Sequence, residues 1–173
     1  NILRLLMIYI FHQNFLVLPL RDFFLMSDEV PLDTAKEVIE AAEDRAEEIG
    51  QPMVVTVANS EGNLIGQHRM DDAWLASVSI SRNKAYTAAA LDMPTHTLAE
   101  PSEPGNSLYG LQTTDDNQIV IFGGGYPLEK GGDVVGSIGV SGGEVSQDRE
   151  VAEAGVEKWD ELVAEGSVGA ADD

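Results

Sequence analysis

The stretch Gln118–Gly143, QIVIFGGGYPLEKGGDVVGSIGVSGG, decides how the chain is read. Three runs, Gln118–Phe122, Tyr126–Lys130 and Asp133–Val140, are parted by Gly123-Gly124-Gly125 and Gly131-Gly132. Each is too short for a helix and is bounded by turn formers, so each reads as a β-strand. Upstream, Met53–Ala58 and Leu64–Met70 form a further hairpin around the polar turn Asn59–Asn63. Helices flank these runs. In residues 34–49, Ala35, Val38, Ile39, Ala42, Ala46 and Ile49 share one stripe. Thr34 with Glu37 offers a capping box there, and Gly50 a stop. Asp72 offers an N-cap for a second helix over about residues 73–91. Its end, Ala88-Ala89-Ala90, is small enough for something to pack close to it. A last helix over Gln147–Glu165, capped by Ser146 and ended by Gly166, places Ala152, Val156, Trp159 and Val163 on one stripe. Between the second helix and the glycine-rich strands, Asp92–Gln118 is irregular, and a loop that long is usually functional or docked. The order α-β-β-α-β-β-β-α predicts an α/β (α+β) fold: a five-stranded antiparallel sheet covered by helices.

Charge bounds the function. The chain has 173 residues, with 10 Lys+Arg against 30 Asp+Glu, a formal charge of −20, while 43% of residues are hydrophobic. One folded core under an acidic skin fits these values. A surface of this sign repels phosphate backbones and anionic lipid, so nucleic-acid and membrane partners are not expected. It suits a high-salt cytoplasm, where screening removes self-repulsion, so a halophilic source is expected. With no Cys, disulfides, thiolate metal sites and Cys nucleophiles are excluded.

Residues 1–26 stand apart. They hold four of the five Phe and one acid, Asp22. Pro19, Arg21 and Asp22 interrupt them as a membrane span, and no small-residue cleavage site marks a signal peptide. The reading adopted is a mis-assigned start ahead of Met26. A targeting segment, which would make the protein secreted rather than cytoplasmic, and a docked extra helix are the alternatives. Residues 27–166 are then one domain, and 167–173 an acidic tail.

Few motifs carry chemistry. Gly139-Val-Ser141-Gly-Gly143 matches the nucleophile-elbow pattern, but the histidines, His12, His68 and His96, all precede the serine, so a glycine-rich turn is the better reading. Free N–H groups at that turn, with Ser141 and Ser146 nearby, would suit an anion, against the pull of Glu144 and Asp148. His68 and His96 are too few for a zinc site, and no metal site is expected. Arg69 and Lys84 are rare bases inside apolar elements, so each needs a partner, either an internal carboxylate such as Asp71 or Glu61, or an anionic ligand. His96, in the irregular loop, is the candidate donor to a haem iron.

Residues 33–163 resemble the GlcG/HbpS family, and within it the C-terminal domain of PduO-type proteins. The resemblance rests on Arg69-Met-Asp71, Asn83-Lys-Ala85, Thr95-His96, Pro104-Gly-Asn-Ser-Leu-Tyr-Gly-Leu-Gln112, Ile121-Phe-Gly-Gly-Gly125, Pro127, Gly136-x-x-Gly-Val-Ser-Gly-Gly143 and Gln147-Asp148. Ala58-Asn59 departs from the family's Val-Asp. The resemblance implies a profilin-like three-layer α/β/α sandwich, assembly into dimers or octamers, and haem binding or a link to corrinoid (cobalamin), glycolate or diol metabolism. It does not carry over the adenosyltransferase activity of PduO-type proteins. The expected function is therefore a non-enzymatic haem or other tetrapyrrole-binding accessory protein, a homo-oligomer without catalytic residues. Its ligand would lie in a cleft near Arg69, Lys84, His96, Tyr109, Gly123, Gly124, Gly125 and Ser141. The rival is an enzyme on a small oxygenated metabolite, with Lys84 or His96 as acid/base.

Overall fold

The computed structural model describes residues 29–168; the readings for residues 1–26 and for most of the acidic tail lie outside that range. Helix α1 (Leu32–Glu48) buries Ala35, Val38, Ile39, Ala42 and Ala46 along the expected stripe. It begins after Pro31, whose fixed φ suits a helix entry. The expected capping box of Thr34 and Glu37 is therefore absent, because Thr34 already lies buried in the first turn. Gly50 ends the helix at φ +68°, its N–H donating to the Glu47 carbonyl.

Strands β1 (Val54–Asn59) and β2 (Leu64–Arg69) form the expected hairpin. Helix α2 spans Leu75–Leu91, strands β3 and β4 are Gly125–Lys130 and Asp133–Ser141, and helix α3 is Val145–Ala164. The sheet is antiparallel, in the order β2-β1-β4-β3, with Val57 opposite both Gly66 and Ile138.

It has four strands, not five. Gln118–Phe122, read from its apolar run as a strand, joins no ladder. Instead the Val120 N–H donates to the Thr87 hydroxyl at 2.9 Å, and that hydroxyl donates to the Asn83 carbonyl at 2.7 Å. A side chain of α2 thus takes the place of a neighbouring strand. Two expected caps are also displaced. Asp72 lies in the preceding turn at φ +67°, and Trp74 holds the N-cap position of α2. Glu144, not Ser146, caps α3, in a reciprocal box with Gln147.

The two sheet faces are built differently. On one face lie α1 and α3, closing an apolar core of Val38, Ile39, Val55, Val57, Ile138, Val151 and Trp159. Trp159 is fully buried and satisfies its indole N–H on the Glu129 carbonyl at 2.7 Å. On the other face lies α2, joined through small and polar groups. Thr56 and Ser81 hydroxyls meet at 2.9 Å, and the Gln67 amide donates to Thr56 and to the Val78 carbonyl. A Cβ at Gly139 would lie 2.1 Å from the Ser81 carbonyl oxygen, so glycine sets how closely α2 approaches β4. The tightest approach falls at Ser81–Ala85, one turn before the triple alanine from which closeness was expected. The result is an α/β/α arrangement.

Candidate functional site

The buried cation comes first. Lys84 of α2 has no exposed surface and points across the end of β4. Its ammonium donates to Asp148 Oδ2 at 2.6 Å and to the Val140 carbonyl at 2.8 Å, and lies 4.9 Å from the Phe122 ring centroid. Burial pushes the amine's pKa below 10.5, against the pull of the Asp148 carboxylate. Asp148 also accepts the Gly143 N–H at 2.9 Å. The partner of Lys84 is internal, as one of the two readings held, but it is Asp148 rather than Asp71 or Glu61. The ammonium is not presented to a ligand.

The glycine cluster is filled by the protein itself. A Cβ at Gly123 would strike Arg149 Cδ at 2.6 Å. At Gly124 it would meet the Val140 carbonyl oxygen at 2.7 Å, and at Gly125 the Lys84 carbonyl oxygen at 2.5 Å. These glycines let chain segments approach one another, and they leave no bare cradle. The turn after β4 is occupied too: the Gly143 N–H is held by Asp148 and the Glu144 N–H by Gln147. Ser141, nearly buried, bonds Ser77 at 3.2 Å. The donors expected to hold an anion there are committed internally.

Arg69 is elsewhere. Its guanidinium donates twice to the Ala73 carbonyl, at 3.0 and 2.6 Å. The groove beside it, about 490 Å³, is lined by Glu40, Glu43, Asp44, Glu47 and Asp71, a setting that repels an acidic guest. Tyr109 lies on the long loop, 65% exposed, away from any of these contacts. The expected site residues are thus not brought into one cleft.

What does converge is a strip around His96. The Gly125 N–H donates to the Thr95 hydroxyl at 3.0 Å, tying the short 3-10 turn Thr95–Leu98 to the start of β3. That bond sets His96 beside Tyr126, with ring centroids 5.7 Å apart at 47°. Tyr126 donates a short hydrogen bond to Glu153 and accepts one from Arg149 Nε at 3.2 Å. Burial, reinforced by the Glu153 bond, raises the tyrosine pKa above 10, so it stays a neutral donor. The Arg149 stem packs along Gly123 beside Val145. Phe122 and Val145, 41% and 44% exposed, are the apolar end of the strip.

His96 is chemically free within it. Its Nδ1 is buried with no hydrogen-bond partner, which is uncommon for a buried polar atom. Burial, and then the Arg149 charge, push its pKa below 6.5. The imidazole is therefore neutral at pH 7, the state in which it can donate a lone pair to a metal. Sequence reasoning picked out His96, named Asp148 only as a carboxylate opposing an anion and not as the partner of Lys84, and gave no site role to Tyr126, Phe122 or Arg149. The signal available for Arg149 and Asp148 was their place in the first turns of a helix that follows a glycine-rich turn.

Among the described residues no helix is long and apolar enough to cross a membrane, and no group of three or more His, Cys, Asp or Glu is arranged to hold a metal ion.

Comparison with known proteins places this chain. It belongs to the family described as haem degrading protein HbpS-like, whose model matches residues 30–157. An uncharacterised 15.0 kDa protein from the dhaT-dhaS intergenic region of Citrobacter freundii is 47% identical over 133 residues, 77% of this chain and 94% of that one. The corrinoid adenosyltransferase PduO of Salmonella typhimurium is 38% identical over 120 residues, which span 69% of this chain but only 36% of that protein. Among solved structures, a PduOC–haem complex aligns with a TM-score of 0.73 and 35% identity, covering 75% of this chain and 94% of the other.

Proposed function

We propose that the protein is a haem- or related tetrapyrrole-binding accessory protein that works as a homo-oligomer in a salt-rich cytoplasm. Membership of an HbpS-like family and similarity to a haem-complexed domain support the ligand class. Within this chain the observation that carries the reading is His96, a neutral imidazole with an unpartnered buried nitrogen beside an exposed apolar strip. The strip suits a flat, amphipathic guest. Phe122 and Val145 offer apolar surface to a macrocycle face, and Arg149 can meet a carboxylate at its edge. Haem would supply the iron, and His96 would be the residue that holds it. Tyr126 orients this edge by accepting from Arg149 Nε while donating its hydroxyl hydrogen bond to Glu153. The two glycine clusters play no direct part here; they pack the framework that sets His96 and Arg149.

The rival reading set acid–base chemistry at Lys84 or His96, and its Lys84 arm is not adopted. Its amine has no surface, and its bonds are internal.

Adding hemin to the full chain and following the Soret band tests the proposal. A saturable shift is expected, lost in His96→Ala, while Arg149→Ala weakens binding about 2- to 5-fold, the scale of one exposed ion pair. An unchanged titration in His96→Ala would remove His96 from the role.

A further inference from the structure

Acid is spread very unevenly over the elements. Helix α1 carries seven Asp or Glu and α3 carries six, whereas Ala73–Leu91, which contains all of α2, carries none. This acid-free helix is also the sole α-helix on its face of the four-stranded sheet among the described residues, with the short 3-10 turn Thr95–Leu98 beside it. Four strands span roughly 19 Å at about 4.8 Å apiece, and one helix covers about 10 Å. The outward stripe of α2 is Leu75, Ser79 and Arg82, all exposed, while Tyr86 beyond it lies against Gly62 of the β1–β2 turn and bonds Asp115. Trp74 and Leu75, at its start, are 66% and 76% exposed.

Two charges here lack partners. Lys36, Arg45, Arg149 and Lys158 each pair with a carboxylate of their own chain, and Lys84 does so in the interior. Arg82, exposed in a chain of charge −20, pairs with none among the described residues. Asp72, one turn before α2, is likewise exposed and unpaired. Both lie on the α2 side, at opposite ends of a short apolar run.

We infer that α2 is the contact surface for a second copy of this chain, packed antiparallel across a twofold axis at Ser79. This rests on the homo-oligomer reading above and names its surface. Between Leu75 and Arg82 this face carries no carboxylate, so two chains of this charge can meet there without close like-charge contacts; Asp72 and Asp115 lie only at its ends. Two antiparallel helices related by a twofold axis at Ser79 set that small residue against itself, so the backbones approach closely. Arg82 then falls opposite the partner's Ala76. The partner's Asp72 lies four residues before that Ala76, in the turn ahead of its helix, toward which the long guanidinium stem can extend. By symmetry the pair forms twice, as an isologous interface requires. Leu75 packs on the aliphatic stem of the partner's Arg82. Centring the axis on Arg82 instead would set the two guanidiniums against each other, which selects the Ser79 register.

Light scattering and sedimentation of the full chain in molar KCl test this, with circular dichroism to verify folding of each variant. The wild type is expected at twice the chain mass or a multiple of it. Arg82→Asp and Asp72→Arg should each weaken association at least tenfold, the double swap should restore it, and Ser79→Arg should abolish it. A wild type at single-chain mass would overturn this inference and the homo-oligomer reading together, leaving hemin binding as a separate question. An oligomer indifferent to Ser79→Arg and Arg82→Asp would overturn the α2 surface alone. Loss in the single variants without rescue by the double swap would overturn the antiparallel register.

Discussion

At the scale of single residues, Lys84 shows how far a sequence can be read. A lysine in an apolar helix must find a counter-charge, and this follows from desolvation alone. Which one is a matter of topology: Asp148 lies 64 residues away and meets Lys84 only because α3 begins where β4 ends. Asp71 and Glu61, the candidates near in sequence to the rare bases, sit elsewhere. Breaking this pair leaves a buried charge alone, so Asp148→Asn should cost about 3–5 kcal/mol in urea unfolding. The apolar double variant Lys84→Met with Asp148→Leu strands the Gly143 N–H and the Val140 carbonyl but no charge, so it should lose less than Asp148→Asn, and equal losses in both would contradict the pairing account. His96 makes a pH-dependent prediction. Its folded pKa lies below the ordinary 6.5, so as pH falls the unfolded chain takes up the proton first. Stability therefore loses a contribution from 6.5 downward through the folded value and none above it. Hemin affinity, a property of the folded chain, should stay level as pH falls past 6.5 and drop only as the lowered folded value is reached. Arg149→Ala should move that fall upward in pH, since it removes one of the two causes keeping the proton away; an unshifted profile would refute that electrostatic link.

At the scale of elements, helices, hairpin and the β3–β4 pair were legible because periodicity and glycine punctuation agree there. Leu32–Glu48 and Leu64–Arg69 lie within two residues of their expected bounds. Gln118–Phe122 was not legible. Its short apolar run is that of a strand, yet Thr87 intercepts its backbone, and a side chain 33 residues upstream leaves no local trace. The caps failed for a similar reason: Pro31 and Glu144 start their helices earlier than Thr34 and Ser146 would. The glycine clusters were read as openings for a ligand, whereas their bare backbone lets α2 and the strand ends close on one another. That distinction is testable. Gly139→Ala places a methyl group against the Ser81 carbonyl and should cost about 3 kcal/mol or more. Gly66→Ala meets only the movable Ile39 Cδ1 at 3.1 Å and should cost under about 1 kcal/mol. Similar midpoints for the two in urea would show that the α2–β4 approach is not set by Gly139.

At the scale of the whole molecule, the candidate site was legible in part. His96 stood out by position in a long loop, but the cluster around it joins residues from the Thr95 turn, β3 and α3. Arg69 and Lys84 were grouped with it by chemical type, and the fold parts them: one in an acidic groove, the other sealed. What remains is a strip running from Phe122 through Val145, Arg149 and Tyr126 to His96, on a molecule whose helices α1 and α3 are coated with carboxylates. A dianionic macrocycle has few places to settle on such a surface, and this strip combines an exposed apolar face, a guanidinium and a neutral imidazole. A crystal grown with hemin and measured across the iron absorption edge tests that placement most directly. The account predicts an anomalous peak within bonding distance of His96, with a propionate turned toward Arg149. An iron peak bonded to another residue, with His96 still unpartnered, would contradict it.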